Sequence, residues 1–64
     1  MTATGKVKFF NDEKGFGFIT QDGTNKEIFV HKTGSKENLY ENDEVQFTIE
    51  QGDRGPFATN VQVL

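Results

Sequence analysis

The chain has no cysteine and no tryptophan, and only one histidine, one tyrosine and one proline in 64 residues. Without cysteine there is no disulfide and no thiolate metal site. A single histidine, His31, is too few for a zinc cluster of the usual kind, so no metal and no cofactor is expected. The lack of cysteine fits a reducing cytoplasm. Met1 to Thr4 carry no basic stretch leading into an apolar run, so no signal peptide is expected. No apolar run approaches the ~20 residues of a membrane span, and no membrane partner is expected. There is no Asn-x-Ser/Thr sequon. The expectation is one cytoplasmic domain over residues 1–64, with a thin core, because so short a chain buries only ~60% of its unfolded surface.

Positive charge is also scarce. The net charge is −3, which taken alone argues against a nucleic-acid partner. The distribution changes this. Residues 1–20 hold Lys6, Lys8 and Lys14 against Asp12 and Glu13. Residues 37–53 hold Glu37, Glu41, Asp43, Glu44, Glu50 and Asp53 with no cation. One region can therefore present a basic patch while another is acidic, and local charge sets a site. The acidic stretch reads as a solvated face that keeps the chain monomeric, in preference to a cation site.

What is present is period-2 patterning. Five runs alternate: Lys6–Phe9, Phe16–Thr20, Glu27–His31, Glu44–Glu50 and Asn60–Val63. Turn signals separate them, at Asn11–Gly15, Asp22-Gly23, Glu41–Asp43 and Gln51–Pro56. Only Ser35 to Tyr40 has room for a helical turn, with Ser35 as its N-cap. The pattern predicts an all-β fold of five antiparallel strands. A flat sheet of that size exposes long edges, so closure into a barrel is expected. Gly15 and Gly17 suit the strong coiling a small barrel needs.

Alternation assigns faces. Val45, Phe47 and Ile49 lie opposite Gln46, Thr48 and Glu50, and form the core face. Val61 and Val63 do the same in the last run. Ile28 and Val30 take the core side of the third run, which sends Phe29 and His31 outward. In the second run two choices stay open: Phe16 and Phe18 inside with Ile19 out, or Gly17 and Ile19 inside with both rings out. If runs two and three pair through Asp22-Gly23-Thr24-Asn25, the second choice clusters Phe16, Phe18, Phe29 and His31 on the surface. In the first run Phe9 is expected to follow Val7 inward, with Phe10 outward beside Lys6 and Lys8, unless a bulge brings both rings partly to the surface. Seven phenylalanines exceed what a thin core needs, and an exposed aromatic patch marks a binding surface.

Aromatic rings bordered by Lys8 and Lys14 are the physical recipe for single-stranded nucleic acid: rings stack on bases and ammonium groups meet phosphates. Duplexes hide base faces, so such a platform prefers unpaired strands. An aromatic patch could instead be a contact for a protein partner. Catalysis is not expected. Catalysis at His31 would need a partner that orients the ring and a nucleophile or metal, and no cysteine is present and no serine lies close in the motif. Lys14-Gly15-Phe16-Gly17 is not a phosphate loop, since no Gly-Lys-Ser/Thr follows.

Gly5-Lys6-Val7-Lys8-Phe9-Phe10-Asn11, Lys14-Gly15-Phe16-Gly17-Phe18-Ile19, Ile28-Phe29-Val30-His31 and Gly52-Asp53-Arg54-Gly55-Pro56, with Ala58 and Asn60-Val61, together resemble a bacterial cold shock protein over nearly the whole chain. The second and third of these segments look like the two ribonucleoprotein motifs of the cold-shock domain. The resemblance implies a five-stranded OB-fold barrel, binding of single-stranded RNA and DNA, and an RNA chaperone role. The ligand-contacting positions it implies are Lys8, Phe9, Phe10, Asn11, Lys14, Phe16, Phe18, Phe29, His31 and, more weakly, Arg54 and Asp22.

The chain departs from that family in three places. Phe9 stands where tryptophan is usual. Lys32 follows the histidine where an aromatic is usual. The segment Lys32–Asn38 is short and carries no ring, so one or two stacking subsites are expected to be missing. Phe57, an unusual ring after Gly55-Pro56, shares parity with Val61. It either caps the core or extends the platform.

Overall fold

The computed structural model describes residues 2–64. Five strands follow one another: β1 Thr2–Asn11, β2 Phe16–Gln21, β3 Glu27–His31, β4 Glu44–Gly52 and β5 Gly55–Val63. They close into a barrel in the order β1-β2-β3-β5-β4. The expected barrel is therefore present. Its neighbouring strands run antiparallel except for β3 and β5, which pair in parallel at Phe29–Phe57 and Val30–Ala58. That single parallel seam is what closure requires, because β3 and β5 enter the barrel from the same end. Among the described residues no helix is long and apolar enough to cross a membrane.

The core is aliphatic with one exception. Val7, Ile19, Ile28, Val30, Leu39, Val45, Ala58 and Val61 are buried around Phe47, and Ala3, Phe10, Ile49 and Val63 pack against them from the rim. β2 settles the choice left open by its sequence: Gly17 and Ile19 point in, Phe16 and Phe18 out. The register explains why. Gly17 pairs with Val30, and Ile19 lies between Val7 on β1 and Ile28 on β3, so three β-branched residues share one layer. Only Gly fits at position 17, since a Cβ there falls on the Phe9 carbonyl oxygen and 2.7 Å from the Phe10 Cα.

Two irregularities reset the period of 2. In β1 the register jumps between Val7–Ile19 and Phe9–Phe18, leaving Lys8 as an extra residue. This bulge reverses the expected faces: Phe9 is exposed, while Phe10 is half-buried against the core. In β5 the pairing slips between Gln46–Gln62 and Thr48–Thr59. Asn60 absorbs the slip in a left-handed conformation, φ 52°, which Asn tolerates better than most residues. Ala58 and Val61 thus both face the core although they are an odd number of residues apart.

The connections follow the turn chemistry. Gly15, at φ 77°, closes the β1–β2 turn by donating its N–H to Asn11 O at 2.7 Å. The β2–β3 hairpin runs through Asp22 to Lys26, with Gly23 and Asn25 at positive φ. The expected helical turn at Ser35–Tyr40 is not where the chain curls. A 3-10 turn spans Lys32–Gly34, capped by His31, and Ser35 instead bridges to Val61. Histidine wins because its Nδ1 accepts the Thr33 N–H, while the Ser35 hydroxyl is drawn to Glu37 O at 2.8 Å. The acidic stretch is more than a solvated face. Glu37 accepts the Val63 N–H, Asp43 accepts the Tyr40 N–H, and Glu50 accepts the Thr59 hydroxyl.

Candidate nucleic-acid interface

Of the seven phenylalanines, only Phe47 is buried. Four of the others meet on the outer face of β1, β2 and β3. Cross-strand pairing places Phe9 opposite Phe18, Phe18 opposite Phe29, and Phe16 opposite His31. Ring centroids lie 5.6 Å apart for Phe9–Phe18, 5.8 Å for Phe18–Phe29 and 5.9 Å for Phe16–Phe29. The rings are not one flat sheet. Phe16 and Phe29 are nearly parallel at 24°, Phe18 meets Phe29 edge-on at 77°, and Phe9 tilts by 50° against Phe18. Edge-to-face and offset contacts suit the ring quadrupole and hold each ring by its neighbours. Phe9 and Phe29 keep 39% and 36% of their surface open. The patch therefore offers several ring faces in different orientations.

His31 extends the patch along β3. Its ring is oriented by Thr33, whose N–H donates to Nδ1 at 3.3 Å and whose hydroxyl lies 3.0 Å from the same nitrogen. Because Nδ1 accepts the backbone N–H, Nε2 is the nitrogen that carries the ring proton. Held in this way, the ring can stack or donate one hydrogen bond.

The bordering polar residues divide. The Lys8 Nζ reaches across β2 to Glu27 Oε2 at 2.6 Å, with both side chains about half exposed. Its ammonium already has a counter-charge, so a phosphate has to compete for it. Lys14 is exposed in the β1–β2 turn, and its N–H donates to Asn11 Oδ1 at 3.0 Å. Asn11 thus has a local duty in that turn. Arg54 is exposed at the tip of the β4–β5 hairpin. Asp22 lies at the other end of β2 from the rings, where its carboxylate accepts the Thr4 hydroxyl. Phe10 is turned to the core and does not join Phe9 on the patch.

Parity with Val61 left Phe57 open between capping the core and extending the platform, and the structure turns it outward. The bulge at Asn60 frees it from the core side, which Ala58 takes, and the parallel seam sets it in register with Phe29. The legible signal was Asn60 itself, a residue prone to left-handed conformation within a strand pattern. The segment Lys32–Asn38 adds no ring, and the Lys32 methylenes lie over Gly15, where a Cβ would meet Cδ at 3.1 Å.

Residues 3–64 match the "Cold-shock" DNA-binding domain family. The chain is 55% identical to the Cold shock-like protein CspG of Escherichia coli K12, over 95% of this chain and 93% of that protein. It is 52% identical to a cold shock protein of Arthrobacter globiformis, over 97% and 98% of the two chains. The Drosophila Unr CSD456 structure superposes with a TM-score of 0.83 at 25% identity, covering all of this chain and 27% of that one.

Proposed function

The chain belongs to the cold-shock domain family, a nucleic-acid-binding family, and from that premise we propose that it binds single-stranded RNA and DNA and holds them unpaired, as an RNA chaperone does. Bases stack on Phe9, Phe16, Phe18, Phe29 and His31, and Lys8, Lys14 and Arg54 meet the strand's phosphates. The chain acts as a monomer. The observation that carries this reading is the set of four contiguous, outward-facing phenylalanines above an aliphatic core. A residue set chosen only for stability places those rings inside.

Each stacked base contributes roughly 1–3 kcal/mol, so three or four give a gross ~3–12 kcal/mol before the strand is ordered. Micromolar binding needs ~8 kcal/mol. Sub-micromolar to micromolar affinity is the expected range. The test is an anisotropy titration with a labelled seven-nucleotide pyrimidine strand, its duplex, and the Phe16→Ala/Phe29→Ala variant. Micromolar or tighter binding to the single strand, much weaker binding to the duplex and loss in the variant support the platform. A wild-type chain that ignores the oligonucleotide refutes it and turns attention to a protein partner for the same patch.

A further inference from the structure

One ring lies beyond the strands that carry the two motifs. Phe9, Phe18, Phe29 and Phe57 occupy successive paired positions on β1, β2, β3 and β5, a single row of phenylalanine across four strands. Beyond Phe29 the row opens into a groove of about 580 Å³, lined by Phe18, Phe29, Phe57, Pro56 and the Gly52–Gly55 hairpin. Phe57 lies against Gly52: a Cβ there would come within 3.0 Å of its Cε1. The hairpin therefore serves as a bare-backbone rest for the ring.

The groove is apolar, yet the two charged residues that line it, Asp53 and Arg54, are of opposite sign. A neutral flat ring loses little on entering such a groove, and Arg54 at its hairpin rim is placed for the strand's backbone. The groove is also continuous with the aromatic patch through Phe18 and Phe29, which line both. Resting on the single-strand reading above, we infer that Phe57, with Phe18, Phe29 and the Gly52–Gly55 hairpin, forms an additional subsite for one unpaired nucleobase. Binding then spreads sideways onto β5, whereas the Lys32–Asn38 segment supplies no ring. At ~4.8 Å per strand the row of four is about 14 Å long, so the subsite lies one strand beyond the reach of a ligand confined to β1–β3.

The experiment compares wild type, Phe57→Leu, Phe57→Tyr and Phe18→Ala against thymidine oligonucleotides of three to eight nucleotides. Chemical unfolding is measured in parallel, and the Phe57 ring protons are followed by NMR as the heptamer is added to wild type. The expected result is roughly a five- to hundredfold loss for Phe57→Leu on the longer strands, little loss on the shortest, recovery by Phe57→Tyr, and an upfield shift of the Phe57 ring protons. Equal affinity of Phe57→Leu and wild type at every length, with Phe18→Ala still defective, overturns the β5 subsite and leaves the platform standing. No binding by wild type overturns both. If Phe57→Leu fails to fold, the ring-proton shift decides: its presence supports the subsite and its absence removes it.

Discussion

Lys8 on β1 spans the full width of β2 to donate to Glu27 on β3, Nζ to Oε2, at 2.6 Å. The bulge that makes Lys8 an extra residue also turns Phe9 outward, so one irregularity sets both a ring and the ion pair beside it. Any anion that seeks the Lys8 ammonium therefore has Glu27 as a resident competitor.

Replacing Glu27 by Gln removes that competitor. The pair is half exposed, and exposed pairs are worth about 0.2–1 kcal/mol. Single-strand affinity is expected to rise about two- to fivefold, with stability changed by less than ~1 kcal/mol. With about three phosphate contacts the salt slope of the wild type is about −2, and the variant's is slightly steeper. Titrations across a range of salt concentrations check both; a wild-type slope near −6 contradicts a stacking-led mechanism.

Gly17→Ala is expected to damage fold and site together. The new methyl strikes β1 backbone at Phe9 and Phe10, which cannot move without parting β1 from β2. Overpacking of this kind costs typically 1–3 kcal/mol, and Phe9 is displaced with its strand. Gly23→Ala is the control. Nothing lies within 4 Å of its Cβ, but its φ is +85°, so the loss is confined to about 1 kcal/mol of backbone strain. Urea unfolding of the two variants separates the effects, and only Gly17→Ala weakens binding at equal folded fraction.

Phe47→Ala and Phe9→Ala should behave oppositely. Phe47 is 1% exposed at the centre of the core, and Phe→Ala at such a site costs about 3–5 kcal/mol. A core this small supplies only ~3–5 kcal/mol, so Phe47→Ala is largely unfolded at room temperature. Phe9→Ala removes a ring that is 39% exposed. It leaves the thermal midpoint within a few degrees and lowers single-strand affinity about five- to a hundredfold. Circular dichroism melts beside anisotropy titrations distinguish the two.

The five strands, their turns and most of the core were legible. Val45, Phe47 and Ile49 alternate cleanly with polar residues, as do Ile28 and Val30, and these place the inner faces of β4 and β3 without reference to any partner. With those faces set, Phe29 and His31 had only one side left.

Three things were outside the reach of the linear pattern. The faces of Phe16 and Phe18 depended on whether Gly17 and Ile19 found Val30, Val7 and Ile28 as neighbours, and both parities of that run leave something apolar outside. The faces of Phe9 and Phe10, and of Phe57, depended on bulges at Lys8 and Asn60. The pairing of Lys8 with Glu27 depended on strands that are not adjacent. Local alternation determines which residues can share a face. A bulge belongs to a pair of strands, and closure of the barrel decides where two strands must slip to stay in register. The sequence alone therefore identified the rings and the cations, and only the closed barrel decided which rings stand together on its surface and which cation already has a partner.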